Sequence, residues 1–438
     1  MSLDLSRFSA ALKNVDPVST EGRVTGAVGL ALRAIAPGAR LGAIAEITRS
    51  TGSEDVGGTV LAEVVAFDGE IATMLPLGTA TGIGPGDRVS ISAHGLTVRA
   101  GDDLLGRVLD GLGEPIDGGP PLRGEPVPVL RAPPSPLERP RVTRLLPLGV
   151  RVLDALTPVG EGQRLGLFSG SGVGKSTLLA QIARQAAADV FVVCLVGERG
   201  REVVEFLEDG LGPEGRARGV VVAATSDAPP LVRMRSAFVA TAIAEHFRDQ
   251  GASVLLLVDS VTRFARAARE VGLAAGEPPA RRGYPPSVFA QLPQLLERSG
   301  TSPRGAITGI YTVLVEGSDL EEPIADEVRG ILDGHVVLSR ALASRGRFPA
   351  VDPRESLSRL GPRIASPAHL AAAAKLREHV SIYEEKRDLV LLGAYKRGGD
   401  AALDRALDRM EAIEGFLRQS DQESAALEAT LAALARVV

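Results

Sequence analysis

The sequence predicts an α/β protein in which a parallel sheet core lies between a small N-terminal β-barrel and a C-terminal α-helical domain. Three patterns indicate this: alternating segments before residue 95, unalternated apolar runs separated by helical segments over residues 150–355, and helical periodicity thereafter. A chain of 438 residues is long enough for about two to four domains. We expect a helix at residues 1–20, the barrel at 21–95, the sheet domain at 96–360 and the helical domain at 361–438.

Composition and charge exclude several classes of protein. The chain has 45% hydrophobic and 24% charged residues, as soluble globular proteins do, and no apolar run is long enough to cross a membrane. A net charge of −5, the lack of Trp and only 3% aromatic residues argue against nucleic-acid binding. The N-terminus has no signal-peptide pattern, and the single cysteine, Cys194, fits a reducing compartment. We therefore expect a cytoplasmic protein without a nucleic-acid partner.

The N-terminal segment combines a short amphipathic stretch with alternating strands. Leu5, Phe8 and Leu12 are spaced for one helix face, which either caps the next domain or docks a partner or membrane surface. Several segments broken by Gly then predict strands of a small barrel or sandwich. The alternation is clearest at Val60, Ala62, Val64 and Ala66.

A proline-rich connection at residues 118–140 precedes the main sheet. The predicted parallel strands are the apolar runs at residues 165–168, 190–196, 220–224, 254–258 and 306–313. Such runs lack alternation because helices cover both faces of a parallel sheet. Near the C-terminus, apolar residues recur at helical steps and form either a core or a partner-binding face. They are Leu403, Leu407, Met410, Ile413 and Leu417, followed by Leu427, Leu431 and Leu434.

The most specific local motif is the glycine-rich segment Ser-Gly-Ser-Gly-Val-Gly-Lys-Ser-Thr at residues 169–177, which lies between a predicted strand and a predicted helix. Its backbone N–H groups would hold phosphate oxygens, Lys175 would bridge the β- and γ-phosphates, and Ser176 would bind Mg²⁺. Lys175 is the only Lys between residues 14 and 374, and Ser169 stands where such loops usually begin with Gly. The expected nucleotide-binding residues are Gly170, Ser171, Gly172, Val173, Gly174, Lys175, Ser176 and Thr177.

Two carboxylates and one arginine are further candidates. Asp259 ends the apolar run at 254–258, so we expect it beside the phosphates, where it would orient Mg²⁺ through water. Glu198 follows the run at 190–196 and either polarises the attacking water or caps a helix. Arg359 has the chemistry to stabilise a transferring phosphoryl group, although local sequence alone favours a surface arginine.

Taken in order, these motifs resemble the catalytic subunits of rotary ATPases, whose core is RecA-like. Within that superfamily the chain is most similar to the type III secretion ATPases, and particularly to the flagellar export ATPases. The matching segments are residues 106–117, 149–154, 169–177, 197–199, 257–264, 283–286 and 348–352. Residues 322–340 and 393–398 favour the export branch, and residues 365–438 show no recognisable acidic loop of the kind that the ATP synthase catalytic subunit presents to its rotor.

The resemblance implies roles for individual residues. Glu198 would position the attacking water, and Arg359 would act as an arginine finger on the neighbouring subunit's ATP. Arg199 would lie on the phosphate side of the nucleotide site. Arg263 would belong to a structural network of side chains near the phosphates. Phe348 would stack on adenine at a position where the family usually has Tyr, keeping the ring but losing the hydroxyl.

The resemblance also implies partners and a location. It suggests a homohexamer that uses ATP and Mg²⁺ and works in the cytoplasm, peripheral to the inner-membrane export apparatus and its export gate. Export substrates and their chaperones would dock on the C-terminal helices, and a stator-like regulator would bind the N-terminal helix. The loop at residues 272–284, which carries Arg281 and Arg282, would either face the ring channel or be an ordinary solvated loop.

The sequence therefore predicts Mg²⁺-dependent ATP hydrolysis that energises type III protein export, most of all of flagellar components. One alternative is an injectisome ATPase; another is a rotary ATP synthase or proton-pump subunit, which would need non-identical partner subunits. A nucleic-acid motor would need exposed N-terminal aromatics, and residues 1–100 contain only Phe8 and Phe67. A non-catalytic nucleotide-binding subunit typically has Gln where this chain has Glu198.

Overall fold

The computed structural model describes residues 21–49, 58–315 and 321–438, which divide into two compact units. The first unit comprises residues up to 97 together with 270–278, and the second comprises residues 98–269 and 279–438. The helix expected at residues 1–20 lies outside the described residues.

The first unit is a closed barrel of six antiparallel strands in the order β1-β2-β5-β4-β3-β6. Its strands are β1 (Glu21–Val28), β2 (Ala31–Ile35), β3 (Ala43–Thr48), β4 (Thr59–Asp68), β5 (Ile71–Pro76) and β6 (Arg88–Gly95). Val60, Ala62 and Val64 of β4 are buried, as their alternation predicts. Ala66 departs from the pattern because a bulge between Val64 and Ala66 shifts the register.

Further strands and helices follow β6 in the chain. The strands are β7 (Thr97–Ala100), β8 (Val108–Asp110), β9 (Glu125–Pro128), β10 (Arg164–Ser169), β11 (Val190–Glu198), β12 (Gly219–Thr225), β13 (Ser253–Asp259), β14 (Gly300–Thr301), β15 (Ala306–Leu314), β16 (Gly334–Leu338) and β17 (Leu357–Ser358). The helices are α1 (Arg151–Leu156), α2 (Lys175–Gln185), α3 (Gly200–Glu205), a π-helix (Phe206–Leu211), α4 (Gly212–Arg216), α5 (Pro230–Asp249), α6 (Val261–Ala274), α7 (Pro286–Leu296), α8 (Pro323–Ile331), α9 (Arg340–Ala343), α10 (Gly361–Ile364), α11 (Pro367–Leu391), α12 (Ala401–Leu417) and α13 (Leu427–Val437).

The second unit is built on a sheet in the order β17-β16-β10-β15-β13-β11-β12-β8, with β14 paired to β15. The strands from β16 to β8 are parallel to their neighbours, whereas β14 and β17 are antiparallel. All five predicted apolar runs are strands of this sheet. Because parallel strands share a direction, the residues that follow β10, β11 and β13 meet at one carboxyl edge.

The proline-rich connection at residues 118–140 is fixed by arginine side chains that bond to carbonyls. Arg298, which is almost fully buried, donates to the Val129 carbonyl (2.7 Å) and pairs with both oxygens of Glu245 on α5 (3.0 and 2.6 Å). Arg139, inside the connection, donates in turn to the Ser299 carbonyl (2.8 Å). Since proline lacks an N–H donor, these bonds replace part of the backbone pairing that a strand would supply.

The C-terminal segment is helical, as its periodicity predicts. Asp400 caps α12 by accepting from the backbone N–H groups of Ala402 and Leu403 (2.9 and 3.1 Å). Most of the apolar residues that these helices bury pack in the same hydrophobic core as residues of α1 and α2. They include Met410, Ile413, Phe416, Leu417 and Leu434, and Leu403 is buried as well. Among the described helices, we find none with the length and apolar character needed to span a membrane.

Candidate nucleotide-binding site

The glycine-rich loop connects the end of β10 to the start of α2. Gly172 and Gly174 have φ values of 75° and 84°, a left-handed conformation that glycine adopts at little cost. Gly174 directly precedes the first turn of α2, whose unpaired N–H groups form an anion-binding end. Ser169, the departure from the usual motif, is fully buried, and its Oγ is not accessible at the loop surface.

The predicted cation and carboxylates meet at the carboxyl edge of the sheet. Lys175 Nζ contacts Asp259 Oδ1 directly and lies 3.8 Å from Glu198 Oε1. Asp259 is 2% exposed, and its Oδ1 also accepts a bond from the Thr312 hydroxyl (2.7 Å). Arg263 Nη1 lies 2.5 Å from Glu198 Oε2 and donates to the Gly197 carbonyl. The ends of β11 and β13 and the starts of α2 and α6 thus supply one charged cluster beside the loop.

Glu198 has an unusual protonation equilibrium for a glutamate. Burial, a hydrogen bond with Glu202 and the negative charge of Asp259 raise the pKa of Glu198 to about 7, against the opposing effects of Lys175 and Arg263. The hydrogen bond with Glu198 conversely lowers the pKa of Glu202. Glu202 was not predicted from the sequence, although its position one helical turn after Glu198 is a signal that could have found it.

The donor set at this edge fits Mg²⁺. Ser176 is exposed in the first turn of α2, and the Asp259 carboxylate lies at the neighbouring strand end. Hydroxyl and carboxylate oxygens are the ligands that Mg²⁺ accepts alongside phosphate oxygens and water. Ser176 and Asp259 would therefore suit the ion, and their assignment as its ligands stays a prediction.

A cavity of about 500 Å³ opens beside the loop and has room for a nucleotide base. Phe348 is 45% exposed on its wall, and a Cβ atom at position 174 would lie 3.3 Å from its ring. The cavity also uses a segment after α12 that sequence reasoning missed, because no motif marks it. Its lining residues are Gly172, Gly174, Thr177, Leu178, Gln181, Phe348, Pro349, Gln419, Ser420 and Asp421.

Two predicted site residues do not join the cluster. The Arg199 side chain is 75% exposed and lies 3.6 Å from Glu202. Arg359 is exposed and donates to the Arg329 carbonyl (3.2 Å).

The strand register gives the position of Arg359 along the sheet. Ser358 pairs with Gly334, and the next residue of β16, His335, is level with Gly166 of β10. Ser169 at the loop is three residues further along, or about 10 Å of strand. Within one chain, Arg359 therefore lies towards the amino-terminal edge of the sheet, opposite the glycine-rich loop.

Two family models match the chain. Residues 149–358 match the nucleotide-binding domain of the ATP synthase alpha/beta family, and residues 365–436 match the T3SS EscN ATPase C-terminal domain. The flagellum-specific ATP synthase of Bacillus subtilis is 48% identical over 97% of this chain and 96% of its own length. The chain belongs to the family of flagellum-specific ATP synthases and type III secretion ATPases.

Further members of this export ATPase family are similar to the chain along nearly its whole length. The type 3 secretion system ATPase of Xanthomonas euvesicatoria is 48% identical over 95% of this chain and 93% of its own. EscN, the assembled ATPase of the enteropathogenic E. coli type III secretion system, is 44% identical with a TM-score of 0.89, covering 95% of this chain and 99% of its own. EscN in complex with its central stalk EscO gives a TM-score of 0.87 at the same identity and coverage.

These matches confirm the resemblance, the three-part fold and the activity that the sequence predicts. The chain is an export-family ATPase with an N-terminal barrel, a P-loop sheet domain and C-terminal helices. The match of residues 365–436 to the secretion-type C-terminal domain separates it from the ATP synthase subunits, with which it shares the nucleotide-binding domain.

Proposed function

We propose that this ATPase hydrolyses ATP with Mg²⁺ at the glycine-rich loop, and that the reaction energises type III export, in the first place of flagellar components. The observation that carries the proposal is the convergence of Lys175, Glu198 and Asp259 at one sheet edge in a chain of this family. Flagellar and virulence-type relatives both reach 48% identity, so an injectisome ATPase is the second candidate. Deleting the gene separates the two: loss of motility supports the first, and loss of effector secretion with normal motility supports the second.

The geometry of the site supports the following chemical roles. Glu198 accepts a hydrogen bond from the attacking water and orients it towards the γ-phosphate. Lys175 and the N–H groups of the loop bind the phosphates and balance the negative charge that develops on them. Mg²⁺ held by Ser176 and, through water, by Asp259 would supply further neutralising charge. Arg263 keeps Glu198 in position through its 2.5 Å contact, and Phe348 stacks on adenine.

A neighbouring subunit would complete the site. Arg359 lies at the sheet edge opposite its own loop, so we infer that it acts on the ATP of an adjacent copy. Contacts of this head-to-tail kind between identical subunits can close into a ring, which we propose to be a homohexamer. The exposed Arg199 would lie on the phosphate side of the same interface. The assembled state of EscN supports a ring of this type.

We propose the following partners. Export substrates and their chaperones would dock on the C-terminal helices, and a stator-like regulator would bind residues 1–20. The complex of EscN with its stalk EscO supports a dedicated partner protein in this family. The ring would work in the cytoplasm, peripheral to the inner membrane at the export gate, without nucleic acid.

The loop at residues 272–284 would face the channel of the ring. Arg281 of this loop lies 4.0 Å from Asp326, and Arg282 has a φ of 49°. Replacing Arg281 and Arg282 together by Ala should reduce export while leaving basal ATP hydrolysis intact. Unchanged export would contradict the channel role.

The first experiment is the ATPase rate per subunit as a function of protein concentration, for the wild type and for Glu198→Gln. We expect the wild-type rate to rise with concentration as composite sites assemble. The variant keeps the shape of Glu198 but is a poor hydrogen-bond acceptor for water, so it should bind ATP and lose at least about 100-fold in turnover. A Lys175→Ala control should lose both binding and turnover. Turnover near the wild-type value in Glu198→Gln would contradict the mechanism.

A further inference from the structure

Gln419, two residues beyond α12, connects three separate segments around the base cavity. It is 5% exposed, and every polar atom of its side chain has a partner. Its Oε1 accepts from the Arg151 backbone N–H (2.7 Å), and its Nε2 donates to the carbonyls of Gly149 (2.9 Å) and Glu423 (2.8 Å). Gln419 lines the cavity, but both of its N–H donors are already in use and its oxygen is held by the Arg151 N–H.

The Phe348 wall of the cavity is tied to α12 and to the segment that follows it by one contact each. The Gln419 backbone N–H donates to the Phe348 carbonyl (3.0 Å). The neighbouring Arg347 is 3% exposed, and its Nη1 lies 3.3 Å from Glu414 Oε1 on α12. The aromatic ring expected to stack on the base is therefore held in place by the C-terminal helical segment.

The opposite side of Gln419 is held by the start of α1. Arg151 Nη1 donates to the carbonyls of Phe416 and Arg418 (3.2 and 3.1 Å), which satisfies the last turn of α12. Asp154 accepts from the N–H groups of Leu148 and Gly149, which fixes the loop whose carbonyl receives Gln419. Gln419 thus lies between a fixed loop and the end of a helix.

We propose that Gln419 is a positioning residue for the base end of the site, and that through it the C-terminal helices set the affinity for the nucleotide base. The inference rests on the proposed function, since it concerns the same site. Ser420 and Asp421 follow Gln419 directly and line the same cavity, where Gln181 and Arg184 of α2 donate to their carbonyls (3.2 and 2.7 Å). Gln419 supplies the remaining link, because it joins this segment to the Phe348 carbonyl. The phosphate end is formed by a different segment, the loop between β10 and α2, and does not bond to Gln419.

The test compares a ligand that has a base with one that has none. Gln419→Glu keeps the acceptor for Arg151 but places a carboxylate against two carbonyls, and Gln419→Ala removes all three bonds. We expect either variant to raise the KM for ATP about tenfold with a much smaller change in kcat, because buried carbonyls lose their donors. Inhibition by inorganic tripolyphosphate, which carries phosphates only, should stay at the wild-type level. The exposed Gln250→Glu, far from the cavity in sequence, is the matched control and should change neither value.

The remaining outcomes overturn the inference or its basis. A wild-type KM in both Gln419 variants would show that the residue positions nothing. Equal weakening of ATP and tripolyphosphate, with a lowered melting temperature in both variants, would show a role in folding alone. If the wild-type protein bound tripolyphosphate but neither bound nor hydrolysed ATP, the proposed function itself would fail, independently of Gln419.

Discussion

Asp154 is a buried carboxyl group in α1 that accepts hydrogen bonds from the backbone N–H groups of Leu148 (2.8 Å) and Gly149 (2.9 Å). Burial raises its pKa to about 7, although the two backbone bonds act in the opposite direction. Between pH values of about 4 and 7, the unfolded chain has lost this proton while the folded chain retains it. Protonated Asp154 therefore adds to the free energy of unfolding at low pH. This contribution falls as the pH rises above about 4 and is lost as the pH passes about 7.

Asp154→Asn should remove this pH dependence. Over the interval from pH 5 to 7, we expect the free energy of unfolding of the wild type to fall relative to that of the variant, because only the wild type has the Asp154 carboxyl group left to ionise. Urea unfolding at pH 5, 6 and 7 measures the difference. Asp388→Asn, an exposed substitution on α11, is the control and should run parallel to the wild type. Parallel curves for Asp154→Asn and the wild type would contradict the raised pKa.

The candidate site residues that the sequence alone could indicate are those marked by a pattern in the residues next to them. Lys175, Asp259 and Glu198 each end or follow an apolar run, and parallel topology then brings strand ends together. Gln419 could not be found this way, because its partners are supplied by distant segments and no residue type near it signals chemistry. Phe348 was identified only through the family resemblance, since an isolated Phe carries no motif.

At the scale of elements, the buried pair between Arg298 and Glu245 ties three segments together. Both side chains are 1% exposed, and the third contact of Arg298 holds the proline-rich connection at Val129. Because the pair is cut off from water, removing Arg298 costs the buried Glu245 two hydrogen bonds and leaves it only the longer contacts with Arg131 (3.6 Å) and Arg248 (3.9 Å). The pair is thus a point at which a single substitution can loosen α5, α7 and the connection at once.

Arg298→Ala should lower the free energy of unfolding by about 3 kcal/mol, because the buried Glu245 loses both hydrogen bonds from Arg298 and keeps only longer contacts with Arg131 and Arg248. The matched control is Arg397→Ala, whose ion pair with Asp408 has a similar length of 3.0 Å but is 69% and 58% exposed. Exposed pairs contribute less than about 1 kcal/mol, so the control should unfold almost as the wild type does. Denaturant midpoints give both values, and equal losses in the two variants would contradict the argument from burial.

Long, fully buried elements were predictable and short ones were not. The five apolar runs correspond to β10, β11, β12, β13 and β15, because burial on both faces leaves a continuous apolar signal. The short β8, β16 and β17 carry too few residues for a pattern. The π-helix (Phe206–Leu211) has no sequence period of its own, since its single turn depends on packing against α2, where a Cβ at Gly210 would lie 3.0 Å from Ala180.

For the whole molecule, the position of Arg359 leads to a test of assembly. If Arg359 serves the neighbouring copy, Lys175→Ala and Arg359→Ala should each abolish turnover alone, while Arg359→Ala still binds ATP. Mixed at equal amounts, they should regain activity, because about one quarter of head-to-tail interfaces combine an intact loop with an intact Arg359. The measurement is the ATPase rate of the mixture against that of each variant at the same total concentration.

The control for this mixture is Lys175→Ala combined with a chain that carries both substitutions. No interface in that ring has an intact loop, so the mixture should remain inactive, whereas the first mixture recovers. Co-assembly is checked by sizing with one variant labelled. If the first mixture forms mixed rings and still shows no activity, Arg359 must act within its own chain. Arg359 would then have to move towards the glycine-rich loop of its own chain when nucleotide binds.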